Sequence, residues 1–113
     1  YEGPSLDRDE QERLVASLGT DKKVMILRNH GLVAAGSTIE EAFILMFRLQ
    51  RACEIQIAAQ AGGSPLNIPA VDVCEQSAER TDSFLNSNES PIGKLEFDSY
   101  VRLLEEQGKS FSP

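Results

Sequence analysis

His30 is the residue whose type and position best suit chemistry, and it is the only histidine among the 113 residues. It follows the apolar segment Lys23–Arg28 and lies in the polar break Asn29–Gly31, where a strand end meets a tight turn. Imidazole nitrogen is a good zinc ligand, but a zinc centre takes about three protein ligands. We therefore expect His30 either to be a structural or surface histidine or to bind metal together with ligands outside this chain.

Two other patterns could suggest a site, and both have a better structural interpretation. Glu40 and Glu41 are adjacent carboxylates, yet they fall in the first turn of a predicted helix, where acidic side chains stabilise the helix dipole. Gly62 and Gly63 follow that helix, whereas a phosphate-binding loop precedes one, so they predict a helix end. A Ser/His/Asp set cannot be assembled around one histidine. We predict no catalytic and no cofactor-binding residue in this chain.

Composition disfavours several functional classes. Eighteen acidic and eleven basic residues give a net charge of −7, which argues against a nucleic-acid surface and against binding to an anionic membrane. The apolar runs are too short to cross a bilayer, and the sequence does not open on a secretory signal. Cys53 and Cys74 lie in apolar-periodic segments, and we interpret them as reduced core thiols of a cytosolic protein rather than as a disulfide.

Hydrophobic periodicity predicts four helices and two strands. The strands are short aliphatic runs on either side of the polar break, and glycines follow three of the helices. The predicted ranges are a helix over 7–18, strands over 23–28 and 32–35, a long helix from about 37 to 61, a linker over 64–69, a weaker helix over 70–85 and a helix over 94–107. Because two strands alone are marginally stable, we expect them to join a larger sheet whose other strands lie outside this sequence.

The long helix is the predicted core element. Ser37 and Glu40 match a capping box, in which the serine hydroxyl accepts a hydrogen bond from a backbone amide and the glutamate bonds back. An apolar stripe at helical spacing follows this start and includes Phe43 and Met46. We expect both side chains to be buried.

The segment Lys23–Val33 resembles the strand, Asn-His-Gly, strand segment of the class II aldolase and adducin family. As in that family, a helix start over Gly36–Ala42 follows it. The segment Ala52–Gln56 is similar to adducins in particular, and Ile92–Leu104 resembles the last helix of the adducin head domain. The resemblance extends over most of residues 14–61 and, less closely, over residues 92–108.

The resemblance implies an α/β fold, namely a three-layer α/β/α class II aldolase-like domain with a mostly antiparallel sheet. Residues 1–113 would be the C-terminal portion of this head domain, with a linker and a weak helix over 62–93 and the terminal helix over 94–108. Aldolase members of the family are zinc enzymes that use a His-x-His pair and a later histidine, and His30 matches that later ligand. The pair and the catalytic glutamate lie upstream in the family.

Adducins resemble the aldolases in fold but are not known as aldolases, and they cap actin filaments and recruit spectrin at the membrane skeleton. The resemblance therefore predicts a non-enzymatic cytoskeletal assembly module that self-associates, binds actin and spectrin, and needs no cofactor. Such a module would be cytoplasmic, at the membrane skeleton, without binding nucleic acid or inserting into the membrane. One alternative is the C-terminal half of a zinc-dependent sugar-phosphate aldolase or epimerase, in which His30 would hold Zn²⁺. A degenerate fold kept only for oligomerisation is another.

Overall fold

A short antiparallel hairpin and the long helix after it form the centre of the structure. The computed structural model describes residues 8–87 and 91–109. Over those residues the chain forms four helices and one two-stranded sheet, in the order α1 (Arg8–Leu18), β1 (Val24–Leu27), β2 (Gly31–Ala34), α2 (Ile39–Ala61), α3 (Val71–Ser87) and α4 (Lys94–Glu106). α2 packs against both strands and against α4. The six elements expected from the sequence are therefore present, with small shifts in their bounds.

The hairpin is apolar on both of its faces. β1 and β2 pair antiparallel, with Val24 opposite Ala34 and Leu27 opposite Gly31. Side chains alternate between the two faces along each strand, and the strand sequences VMIL and GLVA contain no polar residue. None of these residues is fully buried, and Ile26 is 62% exposed. The described part of the chain therefore covers the hairpin only incompletely.

α2 begins one residue later than the capping box predicted from the sequence. Thr38 is the N-cap, and its hydroxyl accepts a hydrogen bond from the backbone N–H of Glu41 at 3.2 Å. The carboxylate of Glu41 in turn accepts a hydrogen bond from the backbone N–H of Ser37 at 2.7 Å. Serine and threonine stand side by side here and two glutamates follow, so both registers fit the spacing rule. The assignment to Ser37 and Glu40 was wrong by one residue.

Aromatic rings hold α4 against α2. The ring centroid of Phe43 lies 5.4 Å from that of Phe97 and 5.5 Å from that of Tyr100, both in edge-to-face geometry. Phe47 lies 6.0 Å from Tyr100 and extends the cluster along α2. Such pairs contribute roughly 0.5–1.5 kcal/mol each beyond the area they bury. The terminal helix is thus fixed by contacts that join residues far apart in sequence.

Burial along α2 is lower than its apolar stripe predicts. Among the described residues Ile44, at 4% exposure, is the one large apolar side chain that is buried. Phe43 is only half-buried and Met46 is 36% exposed, so the prediction that both are buried was wrong. The apolar residues spread over more than one side of α2, whereas the hairpin and α4 cover only part of it.

Cys53 is half-buried and Cys74 is exposed, so the prediction of a core thiol was wrong for Cys74.

α3 lies apart from this packing. All of its side chains that the structure describes are exposed, and it makes no extensive contact with the sheet or with the other described helices. Where the sequence predicted a weak helix over 70–85, the structure has a continuous helix of 17 residues. No helix in the described ranges combines the length and the apolar character that crossing a membrane requires.

Candidate functional site at the hairpin turn

The turn between β1 and β2 presents His30 at the surface. The backbone N–H of His30 donates a hydrogen bond to the carbonyl oxygen of Leu27 at 3.1 Å, which closes the turn. Asn29 has a φ of 59°, in the left-handed region that asparagine enters more readily than most residues. Arg28, Asn29 and His30 are all exposed. The structure therefore places His30 in the tight turn that the sequence predicts, at one end of the sheet, and this turn is exposed.

His30 does not belong to a metal-binding cluster in the part of the chain that the structure describes. No three His, Cys, Asp or Glu side chains among residues 8–87 and 91–109 come close enough together to hold a metal ion. Zinc in proteins is held by about three or four such ligands. These residues do not by themselves fit a zinc centre. That His30 binds metal with ligands outside this chain stays a prediction.

We expect the 113-residue chain alone to retain far less than one Zn²⁺ per molecule, because one imidazole is a weak zinc site. Equilibrium dialysis against Zn²⁺ followed by metal analysis would measure the stoichiometry, with His30→Ala as the matched control. Stoichiometric zinc that a chelator removes and that His30→Ala abolishes would contradict this expectation.

The best-defined polar cluster lies at the opposite, open end of the hairpin, and we call it the Lys23–Glu41 clamp. Nζ of Lys23, just before β1, lies 2.5 Å from Oε1 of Glu41 in the first turn of α2, while Oε2 accepts the Ser37 N–H. The Glu41 side chain is only 8% exposed. The hydrogen bond from Lys23 and then that from Ser37 hold the pKa of Glu41 below its usual range. The bond from the Ser37 N–H agrees with the capping role expected of a carboxylate in the first turn of the helix. The ion pair with Lys23, which ties the residue before β1 to α2, was not expected from the sequence.

Lowering the pH should release this clamp. Because the folded-state pKa of Glu41 lies below the ordinary 4.5, the unfolded state takes up the proton first as the pH falls. The stabilisation is therefore complete above pH 4.5 and is lost as the pH falls through the folded-state pKa. Glu41→Gln should lower the free energy of unfolding by about 1–2 kcal/mol at neutral pH and should flatten its dependence on pH below that point.

Urea titrations at a series of pH values would measure both effects of Glu41→Gln. Glu54→Gln is the matched control on the same helix, since Glu54 is exposed and its partners Gln50 and Arg51 are exposed too. Exposed pairs of this kind contribute little. If the wild type and Glu41→Gln lost stability equally steeply in acid, the clamp would not be the cause.

A second contact at the start of α2 involves Gly93, and the sequence analysis did not predict it. Gly93 is the N-cap of α4, is buried, and has a φ of 81°. A Cβ at this position would lie 2.4 Å from the backbone oxygen of Glu40 and 2.7 Å from Cγ2 of Ile44. Only glycine permits both the left-handed backbone and the close approach. A glycine directly before a predicted helix indicates a special backbone conformation. The spacing of residues along the chain could not show that this glycine contacts the first turn of α2.

Comparison with known proteins shows which family the sequence is similar to. The family model described as the class II aldolase and adducin N-terminal domain matches residues 1–57, which include the hairpin, its turn and most of α2. A Pseudomonas aeruginosa protein that bears a provisional aldolase class 2 name is 37% identical over 112 residues, which are 98% of this chain and 42% of that protein.

Adducins match almost as much of the chain. Mouse gamma-adducin is 35% identical over 118 residues and rat alpha-adducin 37% over 116, in each case over 96% of this chain. The matched region is 17% of the former and 16% of the latter, so the chain spans less than half the length of these relatives. Since the family model alone covers residues 1–57 of 113, the chain belongs to the class II aldolase and adducin family.

Proposed function

We propose that this chain is the C-terminal portion of a three-layer α/β/α head domain. The hairpin supports this, because strands that are apolar on both faces are typical of a sheet covered by helices on both sides. α2 supplies one such cover in the described residues. In this assignment α4 is the terminal helix, and residues 62–93 form the linker and the helix α3 that lead to it.

We further propose that the head domain works as a non-enzymatic, adducin-like assembly module. The observation that carries this proposal is the similarity to adducins over 96% of the chain, which includes α3 and α4 as well as the family core. No cofactor is required for this role.

The partners of such a module would be further copies of itself or of related head domains, together with actin and spectrin. Exposed aliphatic side chains on α2 and α4 favour self-association, among them Ile55 (62% exposed), Ile57 (67%) and Leu103 (47%). The proposed location is the cytoplasmic membrane skeleton, without insertion into the bilayer and without nucleic acid.

The second candidate is a zinc-dependent class II aldolase or epimerase acting on sugar phosphates, and the Pseudomonas aeruginosa relative favours it. In that enzyme His30 would be one ligand of Zn²⁺, and the remaining ligands and the catalytic glutamate would come from outside this chain. The metal would polarise a substrate carbonyl and stabilise an enediolate. To share a metal ion with ligands from outside this chain, His30 would have to be accessible, and it lies in an exposed turn.

Activity of the full-length protein separates the two candidates. We expect no retro-aldol cleavage of a panel of sugar phosphates in the presence of Zn²⁺, and we expect co-sedimentation with actin filaments or with spectrin. The physical reason is that aldol cleavage requires both a metal-stabilised enediolate and a free base. Turnover that disappears with His30→Ala but survives Asn86→Ala, a control substitution on α3, would establish the enzyme and reject the assembly module.

A further inference from the structure

The uncovered helix α3 carries two neighbouring rows of side chains, one acidic and one apolar or small. Members of each row recur at spacings of three and four residues, so each row follows one side of the helix. The acidic row consists of Asp72, Glu75, Glu79 and Asp82. The second row lies one residue earlier at each step and consists of Val71, Cys74, Ala78 and Thr81.

The second row is open to solvent although it has the character of a packing face. Val71 is 72% exposed, and Leu66 and Ile68 in the linker before α3 are 43% and 75% exposed. Oγ1 of Thr81 donates to the carbonyl oxygen of Ser77 at 2.8 Å, so its hydroxyl is bonded within the helix. Most helices in proteins gain their stability by packing an amphipathic face. Nothing in the described ranges packs extensively on this one.

Charge distinguishes between the elements that could cover this face. Four carboxylates and a single cation, Arg80, give α3 a net charge of −3. If two copies of α3 packed antiparallel through their apolar rows, the acidic row of one would lie beside the acidic row of the other. Like charges at that distance oppose association, and the chain as a whole carries −7. A partner that brings positive charge meets no such opposition.

We propose that α3 is the docking surface for a cationic amphipathic helix of a partner protein. The partner's aliphatic side chains would cover the row that begins at Val71, and its Lys or Arg side chains would pair with the acidic row. The small side chains of Cys74 and Ala78 let a second helix approach closely. With 17 residues, α3 is about 25 Å long and accommodates a partner segment of four to five turns. This surface is independent of whether the full-length protein is an assembly module or an enzyme.

A fluorescently labelled peptide of leucine and lysine, about 18 residues long and helical, is the probe for this surface. Its binding to the full-length protein would be measured by fluorescence anisotropy. The test variant is the triple substitution Asp72→Asn, Glu75→Gln and Glu79→Gln. The matched control removes the same number of exposed charges from α4 through Glu96→Gln, Glu105→Gln and Glu106→Gln.

We expect the α3 triple variant to weaken peptide binding about tenfold or more and the α4 triple variant to weaken it less than about threefold. Val71→Ser should weaken binding, whereas Val15→Ser on α1, where the valine is 70% exposed, should leave it unchanged. If the two triple variants lost peptide affinity equally, the peptide would be attracted by the overall negative charge of the protein and not by α3. That result would overturn the proposal. So would the absence of binding to the wild type, or a homodimer that Val71→Ser dissociates, since a second copy would then be the occupant.

Discussion

Gly93→Ala should lower the free energy of unfolding of the chain by about 2–5 kcal/mol. The left-handed backbone at this position, with φ at 81°, costs an alanine about 1–2 kcal/mol. The new methyl group would also lie 2.4 Å from the backbone oxygen of Glu40, which cannot move without displacing the first turn of α2. Overpacking of this kind costs a further 1–3 kcal/mol or so. We therefore expect loss of the α2–α4 contact before loss of the hairpin.

Chemical denaturation followed by circular dichroism would measure the effect of Gly93→Ala, with tyrosine fluorescence as a local probe because Tyr100 lies in the α2–α4 cluster. Gly63→Ala is the matched control. Gly63 also has a positive φ, 67°, but no atom lies within 4 Å of the place its Cβ would take. Gly63→Ala should therefore lower the free energy of unfolding only by the cost of placing an alanine in the left-handed region, about 1–2 kcal/mol. If both substitutions had the same effect, close packing at Gly93 would play no part in stability.

Ile44→Ala should destabilise the chain by about 2–4 kcal/mol, because it removes a buried aliphatic side chain and leaves a cavity. Ile44 is 4% exposed and lies where α2 meets Gly93. Ile39→Ala and Ile57→Ala make the same chemical change on the same helix, at positions that are 74% and 67% exposed. Both controls should stay within about 0.5 kcal/mol of the wild type in urea titration.

A uniform loss across the three isoleucine variants would mean that helix propensity, not burial, sets the stability of α2. The double variant Ile44→Ala with Gly93→Ala adds a further test. Ile44→Ala removes the clash with Cγ2 at 2.7 Å but keeps both the contact with Cβ of residue 44 at 2.9 Å and the clash with the backbone oxygen of Glu40 at 2.4 Å. Gly93→Ala should therefore remain destabilising in the Ile44→Ala background.

Features that depend on neighbouring residues could be predicted from the sequence. The aliphatic runs on either side of Asn29–Gly31 predicted two strands separated by a tight turn, and the position of His30 in that turn followed from the polar break. The end of α2 could also be predicted from neighbouring residues alone, since Gly62 caps the helix and Gly63 takes the positive φ expected of a C-terminal glycine. Even here the register of the cap was ambiguous, because Ser37 and Thr38 each stand three residues before a glutamate.

Features that depend on contacts across the fold could not be predicted. The pattern around Phe43 showed that it belongs to an apolar stripe, but its half-burial depends on how much of α2 the hairpin and α4 cover. The partnership of Lys23 with Glu41 joins a residue before one strand to a residue in the next helix, at no periodic spacing. Whether His30 binds a metal depends on groups that this sequence does not contain, so its chemical role stays a prediction.

The contact between Gly93 and the first turn of α2 also bears on the order in which the chain folds. The hairpin and the start of α2 are neighbours in sequence, so they can form with little loss of chain entropy. Bringing Gly93 to Glu40 closes a loop of about 50 residues, and the entropy of that closure must be overcome before the aromatic rings of α2 and α4 meet. We therefore expect α4 to dock onto a hairpin and helix that have already formed, and we expect hydrogen exchange in α4 to be faster than in the hairpin and the start of α2.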